Sequence, residues 1–433
     1  MLVRLRRIQT RLSDSLFFVP MLFVVAAVVL GEAMLVVDAQ VGEVPHRLTA
    51  TVESARAVLT VVGGATLSFA GIAFSVSVLL ISLASSQYSP RVIHGLFRDP
   101  FNKRIMGIVI GTFTYCLVVL RAVRGPLEDS GQAVVPSLSI LVALALGVVS
   151  VLSIVAFISH SAHSMDVSRI LQRVTAEALA SVRGNWRESE GQSDGEPTEV
   201  PTGIGFVVTF ETDGWVQHVD VQALLKGLEP GACLRMATVA GRFAVPGTEA
   251  GTIWPMPYDP EAARRMVLKA LILGETRVMQ QDAVYGVRQL ADVALKALSP
   301  GVNDPTTAQD ALFHLGAVVR EMLVRLPPPR EEMGEEGRRV LLPELPTHEE
   351  VVEMAFDEIR VASAGQPTVQ IYFLEILHLL TRSLDDHPRP EAVAALRRQA
   401  DLAVATGELS NLTEYDHQRV RLAHQRRFVE ASR

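Results

Sequence analysis

The sequence predicts an α-helical membrane protein, with four transmembrane helices followed by a cytoplasmic α+β region made of a small β barrel or sandwich module and then a helical domain. Three observations carry this reading. Apolar residues are concentrated in residues 1–164 of the 433, they fall into four runs of spanning length, and the rest of the chain passes from short β-like runs to capped helical segments.

The four runs cover about residues 17–37, 58–84, 106–123 and 134–159, and none carries a charge in its middle. Glu32 and Asp38 sit at the far end of the first run, where a carboxylate reaches the headgroups, so both read as boundary residues. Arg4, Arg6, Arg7 and Arg11 precede that run like the basic region of a signal peptide, but its length and the want of a small-x-small cleavage site favour a retained span, which is the expectation. The second loop carries Arg91, Arg98, Lys103 and Arg104. In the first loop acids balance Arg47 and Arg56, and in the third Glu128 and Asp129 follow Arg121 and Arg124. Basic residues stay on the cytoplasmic side, so both termini are expected there.

Residues 165–202 read as a helical extension, through Met165, Ile170, Leu171 and Val174, and then a polar linker rich in Gly, Ser, Glu and Pro. Residues 203–257 hold five β-like runs, Ile204–Phe210, Trp215–Val219, Leu234–Val239, Arg242–Val245 and Thr252–Trp254, separated by turns such as Asp213-Gly214 and Pro246-Gly247. This spacing resembles the barrel-sandwich fold of biotinyl and lipoyl carriers. A helix over Val221–Leu228 and the lack of a hairpin-tip lysine argue against prosthetic-group attachment, leaving a structural module. Residues 258–433 read as helical: Asp259-Pro260 and Asp304-Pro305 are cap-plus-proline starts, Thr347 with Glu350 is a capping box, and further helices fall at 282–298, 367–384, 389–406 and 413–430. The proline-rich stretch 327–346 is expected to be a flexible insertion.

Two patterns are candidates for function. In the second span Gly64, Ser68, Gly71, Ser75, Ser82 and Ser86 recur at spacings of three, four and seven, placing small or hydroxylated side chains on one stripe. Such a stripe lets helices approach closely, and several copies around an axis would line a narrow polar path. The soluble pattern runs Asp282-Ala-Val-Tyr-Gly-Val-Arg288, then Ser299-Pro-Gly-Val-Asn303-Asp304-Pro-Thr306-Thr307. It ends one helix, turns, and opens another at Asp304, where exposed N–H groups could hold an anion with Arg288 reaching across; otherwise Asp304 caps the helix and the motif fixes a corner. Neither a nucleophile nor a Gly-rich phosphate loop accompanies it, so no enzyme is expected. His160 and His163 past the fourth span, and His417 and His424 on the last helix, are weaker candidates for pH sensing.

These soluble residues, with Leu67-Ser-Phe-Ala-Gly-Ile-Ala-Phe and Ser86-Gln-Tyr-Ser-Pro-Arg91, resemble the bacterial DUF2254 family of predicted membrane proteins over most of the chain. The resemblance implies the four-span architecture with a cytoplasmic tail, hence a bacterial inner membrane, and no mechanism. Cys116 and Cys233 offer neither a disulfide nor a zinc site, so no metal or other cofactor is expected, and the net charge of −7 argues against nucleic acid as a partner. The expected partners are the lipid bilayer, further copies of the chain and a small ion or solute. The expected function is a homo-oligomeric channel or transporter with a cytoplasmic regulatory domain, and the alternative is a non-conducting scaffold or sensor that binds a partner.

Overall fold

In hydrocarbon a backbone must satisfy its own N–H and C=O groups, which leaves an isolated apolar run only the helix. The computed structural model describes residues 18–41, 51–87, 100–124, 135–164, 166–188 and 199–430. The chain divides into two units, Met1–Asp166 and Val167–Arg433. The first holds α1 (Phe18–Val41), α2 (Val52–Gln87), α3 (Pro100–Ala122) and α4 (Ser137–Ser164). All four are long and apolar enough to cross a membrane. The 36 residues of α2 extend roughly 54 Å at helical rise, so α2 outruns a hydrocarbon core.

Helix α3 is the hub: α1, α2 and α4 all pack on it, and it is the most buried of the four. Glycine permits the closest of these contacts. A Cβ on Gly107 would lie 2.6 Å from the Phe23 ring, one on Gly111 3.3 Å from the Phe23 carbonyl oxygen, and one on Gly31 2.7 Å from Val118. Two apolar clusters fill the remaining contacts, one around Leu59, Tyr115, Cys116 and Ile140, the other around Ala73, Val109 and Phe157. Two hydrogen bonds between buried polar groups cross between helices. Ser150 donates to Thr112 at 2.9 Å, and the Tyr115 hydroxyl donates to the Ser139 carbonyl at 3.0 Å.

Three charged residues near the ends of the candidate spans have defined places. Asp38, toward the end of α1, is a cap: its carboxylate accepts from the Leu138 and Ser139 amides at 2.9 Å and from the Ser139 hydroxyl, closing the N-terminus of α4. Glu32 pairs with Arg121 at 2.5 Å. Lys103 lies buried in the first turn of α3 rather than in a loop. Arg91 and Arg98 fall outside the described residues.

The second unit opens with α5 (Val167–Asn185), expected to be a mere extension of the fourth span. Instead Ile170, Leu171, Val174, Ala178 and Val182 are buried, and α5 packs on α8 (Ala283–Leu298) and α9 (Pro305–Val324). The five expected β runs form β1 (Phe206–Thr209), β2 (Gly214–Val219), β3 (Cys233–Met236), β4 (Phe243–Ala244) and β5 (Glu249–Trp254), with α6 (Val221–Gly227) inserted and α7 (Pro260–Ala270) following.

No barrel forms from these strands. They divide between two open sheets, β1-β5-β3-β8-β7 and β4-β2-β6, because three strands come from outside the expected module. β6 (Leu271–Gly274) follows α7 and pairs antiparallel with β2. The stretch expected to be a flexible insertion supplies β7 (Glu331–Met333) and β8 (Arg339–Leu341), and β8 pairs in parallel with β3 through Leu234 and Val340. An apolar core of Val208, Leu224, Leu234, Ile253, Val267 and Val340 joins the strands to α6 and α7.

Four helices complete the unit: α10 (His348–Ala362), α11 (Pro367–Arg382), α12 (Pro390–Glu408) and α13 (Glu414–His424). Thr347 and Glu350 make the full reciprocal capping box on α10, and Asp259 caps α7 through the Ala262 amide. Arg398 of α12 bridges Glu349 and Glu353 of α10 at 2.6 and 2.8 Å.

The glycine contact gives a direct test of the hub. Gly107→Val would drive its side chain into Phe23 and should lower the chain's stability in detergent by roughly 1 to 3 kcal/mol. Gly64→Ala, where a Cβ meets no atom within 4 Å, should leave it unchanged or slightly raised. Thermal unfolding of both variants reads the difference, and equal melting temperatures would remove α1–α3 packing as the organising contact.

Candidate functional site

At 100° per residue, Gly64, Ser68, Gly71, Ser75, Ser82 and Ser86 fall within an arc of about 60° on α2. Opposite them lie the buried residues of that helix, Ala55, Leu59, Gly63, Thr66, Ala70 and Ala73, which face α3 and α4. The stripe therefore points away from its own bundle. Ser68, Ser75 and Ser82 are exposed, and a Cβ on Gly64 or Gly71 would meet nothing within 4 Å. The Ser86 side chain lies outside the described residues.

Exposed large side chains border the stripe on both sides, Val61, Ile72 and Leu79 on one and Leu67, Phe74 and Val78 on the other. The result is a shallow furrow of small residues between aliphatic and aromatic ridges. Ser75 donates its hydroxyl to the Gly71 carbonyl at 2.9 Å, so a serine can face an apolar medium without leaving its proton unpaired. Such a surface admits a second helix at close range.

The same device operates inside the chain. Gly107 and Gly111, four residues apart on α3, accept Phe23 of α1. Sequence reasoning passed over this pair, although its G-x-x-x-G spacing was the available signal.

In the second unit's motif the predicted residues are engaged: the Asn303 amide donates to the Ser299 carbonyl at 2.9 Å, and Arg288 is tied elsewhere. Arg288 donates to both Glu358 oxygens at 2.5 and 3.1 Å and pairs with Asp292 at 2.8 Å, joining α8 to α10. These bonds hold its guanidinium even more firmly protonated than usual, with the Glu358 hydrogen bond the main cause. Ser299 donates to the Lys296 carbonyl at 2.6 Å and closes α8.

Asn303 adopts a left-handed φ of 49°, a conformation Asn tolerates better than most residues, and its side-chain oxygen accepts from Gln366 at 3.0 Å. Asp304 caps α9, accepting from the Thr307 amide at 3.1 Å and hydroxyl at 2.6 Å, while Thr306 is exposed beside it. The geometry is that of a helix corner tied to the start of α11.

The histidines divide similarly. The His160 ring lies against Phe101 in a tilted arrangement with centroids 4.4 Å apart, and His424 contacts Asp401 at 2.8 Å, while the His163 side chain lies outside the described residues. The fold opposes protonation of His314 and His348, which the sequence did not single out, in both cases chiefly by burial. Among the described residues, no three His, Cys, Asp or Glu side chains are grouped to hold a metal ion.

Four helices long and apolar enough to span a membrane, followed by a mixed α/β region and further helices, define the class, a multi-span membrane protein. The chain belongs to the DUF2254 family of predicted membrane proteins, which it matches over residues 13–378. It is also similar to uncharacterized proteins of Mycobacterium bovis and Mycobacterium tuberculosis. Each is 28% identical to it over 96% of this chain and 83% of its own length. No solved structure matches the chain.

Asp304→Ala should cost about 0.5 to 2 kcal/mol as a lost helix cap. Hydrogen bonds from the Thr307 hydroxyl and amide hold the Asp304 carboxyl below its ordinary 3.8. A depressed folded-state pKa contributes stability above the unfolded value and loses it as pH falls through the folded one. The difference in melting temperature between parent and variant should accordingly be full at pH 7 and shrink below pH 4. A difference that stayed constant down to pH 2 would exclude the ionised cap.

Proposed function

We propose that the chain assembles through α2 into a homo-oligomer of the bacterial inner membrane and conducts a small ion or solute. The observation that carries this is the outward direction of the Gly64–Ser82 furrow, away from the bundle that buries the opposite face of α2. A furrow of Gly and Ser between bulky ridges favours a close helix contact, and hydroxyls around an axis can take over part of an ion's hydration. The soluble unit is proposed as regulatory rather than catalytic, since Arg288, Ser299, Asn303 and Asp304 are occupied in fixing helix ends and contacts. The back-bonded hydroxyl of Ser75 favours a second reading, in which the furrow only packs and the assembly is a non-conducting scaffold.

Cysteines introduced at Ser68 and Ser75 should cross-link between subunits in native membranes, whereas one at Thr66, on the buried face, should not. Ser75→Leu overfills the furrow, while Leu79→Ile conserves volume and should be tolerated. Solute flux into proteoliposomes then separates the readings: flux lost with the oligomer intact supports conduction, and an oligomer that never carried flux supports the scaffold. Parent-like assembly and flux in Ser75→Leu would exclude the furrow from both.

The basic N-terminus favours termini and soluble unit on the cytoplasmic side. A cysteine introduced at Ser193 should therefore resist an impermeant maleimide in intact cells and react after permeabilisation. Labelling in intact cells would reverse the orientation.

A further inference from the structure

Helix α5 begins at Val167, directly after α4 ends at Ser164, and buries Ile170, Leu171, Val174, Ala178 and Val182 in the second unit. Two histidines close its seam. Near the middle of the helix the Thr175 hydroxyl and Nδ1 of His314 on α9 lie 2.9 Å apart. Just past its end the Trp186 ring is buried, its centroid 6.2 Å from that of His348, the first residue of α10. Nε2 of His348 lies 2.9 Å from the Arg325 carbonyl at the end of α9. A carbonyl only accepts, so Nε2 carries the proton of the neutral ring and a second proton would go to Nδ1. The Arg325 guanidinium in turn donates to the Trp186 carbonyl at 3.3 Å. The end of α5, the end of α9 and the start of α10 thus meet around one imidazole.

We propose that this seam is a proton-sensitive contact, closed while His314 and His348 are neutral and loosened by acidification, which frees α5 from α9 and α10. A charge taken up at either ring is enclosed by protein, and the groups around it do not offset that cost. At His348 burial disfavours the charged form most. The Arg325 carbonyl favours it, Arg389 ahead of α12 disfavours it, and the Met322 backbone and Glu391 in the first turn of α12 favour it, leaving the ring harder to protonate than usual. The other charges nearby are committed elsewhere: Arg325 to Glu321 and Glu188, Arg187 to the Pro327 carbonyl, Glu349 to Arg398 and Glu350 to the Thr347 amide. At His314 burial again outweighs the one favourable charge, Asp310, a turn earlier on α9, and Thr175 brings none.

The sign follows from linkage. A histidine whose charged form the closed seam disfavours adds stability above its ordinary value of 6.5, and that stability is lost as pH falls below it. The Arg183–Glu321 pair of 2.9 Å, which also joins α5 to α9, does not titrate in this range, because the arginine hydrogen bond holds the Glu321 carboxyl below its ordinary 4.5. The acid response therefore belongs to the histidines. Next to α5 in the chain is the fourth candidate span, so its release would reach that span first. The proposal is independent of assembly and conduction through α2, since it is read within the second unit.

The test uses the full-length chain in a neutral detergent and follows amide hydrogen exchange by mass spectrometry at pH 7.5 and 5.5, corrected for the intrinsic pH dependence of exchange. Protection of α5 should fall on acidification while that of α11 holds. An open form that protonates near 6.5, against a closed form that stays neutral, gains about tenfold per histidine at pH 5.5, so the fall should lie between about threefold and a hundredfold. His314→Gln and His348→Gln cannot take up the proton. Each should keep its protection at pH 7.5 and lessen the fall, and the double variant should abolish it.

If a variant is already open at pH 7.5, Trp186 emission decides, isolated in a Trp215→Phe/Trp254→Phe chain that keeps both histidines. It should change with a midpoint below pH 6.5, together with the loss of α5 protection. The proposal is overturned if α5 in the parent is equally protected at both pH values, if every helix of the second unit loses protection together, if the double variant responds as the parent does, or if Trp186 emission stays constant across the range.

Discussion

Close approach of α1 to α3 is the contact on which the membrane unit depends. Between helices in lipid there is little hydrophobic gain, so association rests on dispersion at short range and on the few polar groups that need partners. Gly107 and Gly111 remove the side chains that would keep Phe23 away, and Gly31 does the same for Val118. With α1 seated, Asp38 reaches the first turn of α4 and Glu32 reaches Arg121. Two polar contacts that hydropathy alone would class as membrane-boundary chemistry thus become fastenings between non-consecutive helices. α3 receives the other three helices because it offers glycine on one side and Tyr115, Cys116 and Val119 on another.

The geometry of α2 follows from the same rule applied to opposite faces. Its Ala55, Leu59, Gly63, Thr66, Ala70 and Ala73 face is consumed by the bundle, while among the described residues of the first unit the Gly and Ser face is exposed. Lipid-facing helix surfaces need no small residues, since acyl chains conform to any side chain. The proposed assembly draws on this face, and the exposed small residues bear on helix packing more directly than on conduction.

In the second unit charge serves order. Arg288 ties α8 to α10, Arg398 repeats the link from α12, and Asp259, Asp282, Asp304 and Thr347 each close a helix start. Burial of α5 between α8 and α9 has a similar effect on the chain as a whole. The segment directly after the last candidate span is a core element of the second unit.

What the sequence determined by itself was everything local. The four spans were legible because a run of about 20 apolar residues without charge has no other stable conformation in a bilayer. The caps at Asp259, Asp304 and Thr347 were legible because a cap is a relation between residues three apart. The stripe on α2 could be read as a stripe, but whether it faced its own bundle was open.

Tertiary structure alone decided that direction, and it decided the pairings between distant segments. Leu234 lies beside Val340 across a gap of some hundred residues, so the expected barrel gave way to two open sheets, and a stretch that looked like a proline-rich loop became two of their strands. It likewise brought His348 beside Trp186, gave Arg288 to Glu358 rather than to an anion, and made α5 part of a core. The physical reason is common to all of these. Periodicity and capping are set by neighbours along the chain, whereas strand partners, helix faces and converging charges are set by which surfaces bury one another.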